Sequence, residues 1–246
     1  MEFYDTFDED GVFLSSEDEK DVHYKGLWHK VIRVWLYDKE GNLYLRKRVS
    51  DHKLDCINEL HMLSSESVSS CFDRGMFEKL GIHFPATSNL EQVGMRKIKR
   101  HRVYSDNSEL KDNYFLCDYI GEFDKNTNFF IFSLDTEGLM KCNAKGILTL
   151  LSSRTGEVVA YGVEPNGNVS ENKQFIKIND IYEDSNEDTH AKYSNVISAI
   201  NNNLQKYKKE QFENEKIKKL AEKQQTIQED DTFVSHADEN EGDEIY

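Results

Sequence analysis

An α/β fold is what this sequence predicts, and three observations predict it. Leu27–Tyr37 alternates apolar and polar residues, with β-branched and aromatic side chains that suit a strand. Residues 66–80 place Val68, Cys71, Phe72, Met76 and Leu80 at three- and four-residue steps, which makes one apolar helical face. A second helical stretch runs from His190 to about Thr226, its first part striped by Tyr193, Val196, Ile197, Ile200 and Leu204. At 246 residues the chain holds one domain with extensions or two small domains.

In order, Asp38–Asn42 reads as a turn, with Gly41 free to take positive φ, and Leu43–Arg48 as the return strand of a hairpin. Asp51–Ser65 is expected to be a loop. The helix over 66–80 stops at Gly81, the residue type that ends helices most readily, while Gly75 inside it costs about 1 kcal/mol relative to Ala. Gly94–Val103, Asn113–Tyr119 and Phe129–Leu134 are read as strands, Thr136–Ser152 as an insertion or a helix start, and Glu157–Val163 and Gln174–Ile178 as short strands. Beyond Lys206 the apolar stripe thins to Phe212, Ile217 and Leu220 in a Lys/Glu/Gln background.

Charge is concentrated at the ends. The chain carries a net −15, of which residues 1–22 contribute −8 and residues 229–246 another −8, so the middle is close to neutral at +1. That balance argues against nonspecific nucleic-acid binding by the chain as a whole. No apolar run reaches the roughly 18 residues of a membrane span, and the acidic first twenty residues are unlike a secretory signal. Four widely spaced cysteines form no CxxC pair, which fits a reducing compartment, so the expectation is a cytoplasmic or nuclear protein with no membrane partner. The basic run Arg96–Arg102 divides its charges between the two faces of a strand. It is either a solvated strand paired with the acidic termini or an anion- or RNA-facing surface.

Several stretches carry a family resemblance. Tyr4–Gly11 (YDTFDEDG), Val22–Lys30 (VHYKGLWHK) and Leu43–Arg48 (LYLRKR) are followed by a box over Leu60–Ile82 in which Glu66, Arg74, Met76, Glu78, Gly81 and Ile82 keep a fixed spacing. This arrangement resembles the Nudix hydrolase family, in particular its isopentenyl-diphosphate isomerase-like branch. The resemblance implies an α/β/α sandwich around a mixed sheet over about 1–204, with an N-terminal hairpin at 1–25 and the box at 60–82. A charged helical extension would then cover 205–227 and a disordered acidic tail 228–246. Three positions depart from the pattern: Leu60 stands for its leading glycine, Gly75 for the glutamate after the arginine, and Lys79 for the second glutamate of the pair.

The departures bear on chemistry. Helical residues three and four apart share a face, so carboxylates at 75, 78 and 79 would converge on one divalent metal cluster. Mg²⁺ or Mn²⁺ held there neutralises a diphosphate and activates water. Here Glu78 alone remains as metal ligand, with Glu66 orienting Arg74 and a carboxylate such as Glu109 as a recruit. By this reading a double change, Gly75→Glu with Lys79→Glu, restores the face. The isomerase branch has a cysteine where this chain has Glu59, and a metal site built from histidines of two segments plus glutamates, which His23, His29 and His61 partly imitate. Substrate-binding expectations fall on Arg46, Arg48, Arg74, Lys79 and His61, with Lys79 a positive charge that replaces the metal against a phosphate.

Two functions follow. One is a divergent diphosphate hydrolase for nucleoside-diphosphate-linked or isoprenoid diphosphate substrates, dependent on Mg²⁺ or Mn²⁺. The other is a catalytically inactive Nudix-fold binding or scaffold protein that recognises a phosphorylated ligand, RNA or a protein, with no cofactor.

Overall fold

The computed structural model describes residues 2–84, 90–103, 109–124, 127–131, 133–165, 168–185 and 187–237, with side chains described as far as Glu222. The chain divides into two units, residues 1–201 and 202–246.

In the first unit the strands are β1 (Phe3–Phe7), β2 (Phe13–Asp18), β3 (Trp28–Tyr37), β4 (Asn42–Arg48), β5 (Leu54–Asp55), β6 (Asn58–His61), β7 (Glu91–Val103), β8 (Glu109–Glu122), β9 (Thr136–Asn143), β10 (Val158–Val163) and β11 (Val169–Ile176). The helices are α1 (Glu19–Lys25), α2 (Val68–Leu80), α3 (Ala144–Ser153) and α4 (Thr189–Ala237), the last of which continues into the second unit. The strands form one mixed sheet whose hub is β3. It pairs antiparallel with β1, β4 and β6 and parallel with β8, from His29 opposite Tyr114 to Tyr37 opposite Glu122.

Strand alternation assigns the two faces of β3. Ile32, Val34 and Leu36 share a core with Cys71, Phe72, Met76 and Leu80 of α2. Each fully buried large side chain of this kind contributes about 1.5–3 kcal/mol. On the opposite face the Trp35 ring meets the Tyr193 ring of α4 edge-on at 4.9 Å. Helices thus cover both faces, as the sandwich requires. That second face also holds a buried cation. Arg33, 1% exposed, donates through Nε to Glu59 at 2.8 Å and through Nη1 to Glu187 at 2.8 Å, while Trp35 Nε1 donates to Asp118 at 2.8 Å.

Several elements differ from the sequence reading. The expected loop Asp51–Ser65 contains β5 and β6, which pair with β4 and β3 but are too short to show alternation. Phe129–Leu134 forms no strand among its described residues. The Phe129 amide bonds Pro165 O and the Phe130 amide Leu80 O, so the backbone is anchored singly while Phe129 plugs the core. Thr136–Ser152 is first a strand, β9, and then α3, whose N-cap Asn143 accepts from the Gly146 amide. The N-terminal hairpin of β1 and β2 leads into α1, which Gly26 ends in a left-handed conformation at φ 67°. In the second unit, residues 205–222 are exposed, α4 extends past Thr226 to Ala237, and residues 238–246 of the expected tail lie outside the described residues.

Candidate functional site

The box region folds as a buckle. Ser67 caps α2 by accepting from the Ser70 amide, and Gly81 closes it at φ 64°. Arg74 reaches back across the loop: Nε and Nη2 each donate to the Glu66 carboxylate at 2.9 Å, and Nη2 donates to His61 O at 2.9 Å. Glu66 also accepts from the Leu63 amide at 3.0 Å. Burial pushes the Glu66 carboxyl up, but the Arg74 hydrogen bond and charge outweigh it and hold it below the usual carboxylate range. Glu78 lies one turn further, half exposed, with its carboxylate 3.5 Å from Arg74.

The two departures inside this pattern compensate each other. A Cβ added to Gly75 would lie 1.9 Å from Leu60 Cδ1. The leucine that stands for the pattern's glycine therefore fills the space a glutamate at 75 would need. Lys79 is absorbed as well: Nζ donates to Asp135 at 2.6 Å and to Ser133 Oγ at 3.0 Å. Arg46 shares the same Asp135 at 2.9 Å and donates to Cys56 O, and Arg48 sits 3.2 Å from Asp51, 3.4 Å from Asp55 and over the Tyr182 ring. Arg46, Arg48, Arg74 and Lys79 were expected to face a phosphate; in this structure each lies against a carboxylate, Arg46 and Lys79 sharing Asp135. In a double change at 75 and 79 the side chain placed at 75 would meet Leu60 first.

A second cluster has the opposite character. His23 on α1, His29 on β3, His61 on β6 and Asp112 on β8 bring one donor atom each to within 4.8 Å of one another. The sheet places them: His61 lies opposite Val31 on one side of β3, Tyr114 lies opposite His29 on the other, and Asp112 precedes Tyr114 by two residues on the same face of β8. Asn113 Nδ2, which donates to Gly26 O at 2.7 Å, ties the end of α1 to β8. The Tyr4 ring lies against His29 and His61 at 5.7 and 5.2 Å.

The separations suit a cation. His29 Nε2 and His61 Nδ1 are 3.0 Å apart, and Asp112 Oδ1 lies 3.5 Å from His29 Nε2 and 3.6 Å from His23 Nε2. Four ligands around a metal at about 2.1 Å have edges of about 3.4 Å in a tetrahedron. His29 Nδ1 is 3.1 Å from Leu27 O; when it donates there, the Nε2 lone pair points into the cluster. Two lone pairs cannot share a 3.0 Å approach without a proton or a cation between them. Asp112 Oδ1 is buried and has no hydrogen bond, the histidines being too far for one, and the Tyr114 hydroxyl is in the same condition.

Electrostatics prepares the donors. Burial pushes His29 down, and burial together with the neighbouring His29 pushes His61 down to about 3, so both rings are neutral at ordinary pH. Asp112 pushes His23 up. Burial acts to raise Asp112, but His23 at 3.6 Å and the other imidazoles around it outweigh burial and hold its carboxyl below the usual carboxylate range. Neutral imidazoles and an ionised carboxylate are the forms that ligate metals, so His29, His61 and Asp112 stand in those forms, while His23, raised by Asp112, must release its proton for an ion to bind. The residues present fit a divalent ion.

His61, His23 and His29 were legible in the sequence as an imitation of a histidine metal set. Asp112 was not: it is remote in sequence from all three, and only the parallel register of β3 and β8 brings it in. Glu109, the carboxylate expected as a recruit, is instead an exposed residue at the start of β8, near His101 and Lys111. The basic run divides as alternation dictates. Arg96 and Arg100 face Asp118 and Asp184, while Lys97 and Lys99 lie over the Trp28 ring, Lys99 pairing with Glu9 at 3.0 Å. A pocket of about 530 Å³ opens beside Asp112, with Arg100, Arg102, Tyr182 and Asp184 in its wall.

No family model and no curated protein matches the chain. Among solved structures it is similar to a Deinococcus radiodurans protein, with 16% identity over 62% of this chain and 90% of that one and a TM-score of 0.43. It is also similar to a MutT protein from Methanosarcina mazei Go1, with 12% identity over 46% and 74% of the two chains and a TM-score of 0.33. A NUDIX hydrolase from Nitrosomonas europaea is similar at 14% identity over 48% and 74%, with a TM-score of 0.32.

Proposed function

We propose that this chain is a divergent Nudix-fold protein whose box helix has become structural and whose divalent metal is held by His23, His29, His61 and Asp112. The observation that carries this reading is the meeting of four donor atoms within 4.8 Å, one of them a buried carboxylate oxygen with no hydrogen bond. Three imidazoles and one carboxylate favour borderline ions such as Zn²⁺, Mn²⁺ or Fe²⁺ over Mg²⁺. Such an ion supplies Lewis-acid polarisation of a phosphoryl oxygen. Arg102 and Lys99, in the wall of the pocket beside Asp112, supply positive charge for a phosphorylated small molecule, while Arg100 in the same wall is paired with Asp184. Glu59, in the position of the isomerase branch's cysteine, is fixed by Arg33 and set near Arg100, which departs from that branch's proton chemistry and favours diphosphate recognition or hydrolysis.

Equilibrium dialysis of the purified chain against Mn²⁺ or Zn²⁺, followed by metal analysis, tests the reading. About one ion per chain is expected for the unaltered protein and for Glu78→Gln, and none for His61→Ala or Asp112→Ala. Retention by the histidine variant with loss in Glu78→Gln would return the metal to the box. The alternative, a catalytically inactive binding protein for RNA or a protein partner, is favoured by one observation: Lys97 and Lys99 stand exposed on one face of β7, over the buried Trp28 ring, where they can meet phosphates.

A further inference from the structure

We infer that Asn113 is the residue that positions His23 for metal binding: its side-chain amide clamps the turn after α1 to β8, and without that clamp the centre loses the one ligand that does not stand on the sheet. The inference rests on the metal reading above and adds to it a residue outside the four donors.

The four donors are not held alike. His29, His61 and Asp112 stand on β3, β6 and β8, and the pairing of β6 and β8 with β3 fixes where their side chains leave the sheet. His23 stands on α1, a helix of seven residues outside the sheet. A helix that short has little stability of its own, so its ties to the rest of the fold decide where His23 lies. Val22, fully buried, is one tie. The turn that ends the helix is another. Gly26 takes a left-handed conformation at φ 67°, and a Cβ on it would lie 2.9 Å from Lys111 Cβ and 3.2 Å from Asn113 Nδ2. Glycine thus lets the backbone come against β8, and there Asn113 Nδ2 donates to Gly26 O at 2.7 Å.

The clamp and the ligand pair close one small loop of structure. Asp112 and Asn113 are neighbours on β8, and successive side chains of a strand point to opposite faces. Asp112 lies 3.6 Å from His23 Nε2, and Asn113 holds the residue that ends the helix on which His23 stands. The path from donor to donor runs from Asp112 to Asn113, across to Gly26, and back along one turn of α1 to His23. Carbonyls at a helix end lack a partner within the helix, and water is enough to satisfy them at a surface. The Asn113 amide does more than water: it fixes the helix end to the strand that carries Asp112. With an aliphatic side chain at 113 the turn is free to leave β8, and His23 leaves with it.

The test is Co²⁺ binding by the full chain, followed by titration and by the visible absorption of the bound cobalt, which reports its ligands. Asn113→Ala is expected to weaken Co²⁺ binding about tenfold, the scale on which groups that orient metal ligands act. Its cobalt absorption should match that of His23→Ala and differ from that of the unaltered protein. In a His23→Ala background the same change should move the affinity by no more than about twofold, since the residue it positions is gone. Asn113→Asp keeps the shape and lacks the N–H. Its added negative charge by itself favours a cation, so weaker Co²⁺ binding in that variant is the sharper support. Affinity in Asn113→Ala equal to that of the unaltered chain overturns the inference. So does a loss of about tenfold repeated in the His23→Ala background, which would make Asn113 a support of the fold at large. Stronger binding in Asn113→Asp overturns it too. An unaltered chain that takes up no Co²⁺ sinks the metal centre and this inference together, a result distinct from each of these.

Discussion

Two regions of this molecule gather acids and bases, and they are built on opposite terms. Around α2 every charge is spent internally: Arg74 on Glu66, Lys79 and Arg46 on Asp135, and the space at Gly75 on Leu60. Around the N-terminal end of β3 the donors converge and satisfy each other only in part: His29 meets His61, His23 lies 3.6 Å from Asp112, and Asp112 Oδ1 and the Tyr114 hydroxyl have no hydrogen bond. The first region holds the recognisable spacing and the second holds the unmet chemistry. A spacing pattern shows where a helix aims its side chains. Only the bonding of the side chains shows whether they are still available, since sites and not folds carry function.

The largest expected break in this comparison comes from Gly75→Glu. With 1.9 Å between the new Cβ and Leu60 Cδ1, the side chain and its charge have no place, and denaturant unfolding should show a loss of about 3 kcal/mol. Leu60→Gly in the same chain should recover part of that loss by opening the space. Gly75→Glu with Lys79→Glu should gain no Mg²⁺ affinity, and the triple variant that includes Leu60→Gly should gain it. A double variant as stable as the unaltered chain would show that Leu60 moves aside freely.

Acid provides a middling effect in the second region. His29 and His61 are held neutral by burial, so below the ordinary value of 6.5 the unfolded chain takes up protons that the folded chain refuses. Their contribution to stability is complete above pH 6.5 and is lost progressively toward about 3, where His61 titrates in the fold. His23, raised by Asp112, works the other way, and its contribution fades as the pH rises through its folded value. Urea midpoints of the metal-free protein between pH 7 and pH 4 should fall, and fall less steeply in His61→Gln. Parallel curves for the two proteins would remove His61 from the account.

The smallest effect is expected at the shared carboxylate of the first region. The Asp135 side chain is half exposed, so Asp135→Asn should cost only about 0.5–1 kcal/mol in thermal or urea unfolding despite two cations on it. Metal uptake at the histidine centre should not change. A loss of several kcal/mol would mean that Lys79 is more deeply committed to the fold than its surroundings indicate.

Much of the frame was legible in the sequence for physical reasons. β3 and α2 are long enough for their periods to show, and Gly81 ends α2 where a left-handed residue is required. β5 and β6 have two and four residues, too few for alternation to register, so the segment that carries Glu59 and His61 read as loop. The three histidines were visible as residues of metal-binding type. Their fourth partner depends on a parallel pairing between strands about eighty residues apart, which leaves no local trace. The glycine at 75 looked like a defect in a helix, because its justification is a methyl group on Leu60, fifteen residues earlier.

Arg33 has a consequence in time. Its guanidinium is buried on the strand at the middle of the sheet, and one of the carboxylates that makes this tolerable, Glu187, is 154 residues further along. A chain emerging from the ribosome can form α2 and its apolar contacts with β3 early, because those residues are close in sequence. The opposite face is completed later: Arg33 meets Glu59 early, but its second carboxylate partner Glu187 and the Tyr193 ring that covers Trp35 come only near residue 190. One face of the sheet is thus closed by residues near in sequence, and the other by residues that only the last part of the domain supplies.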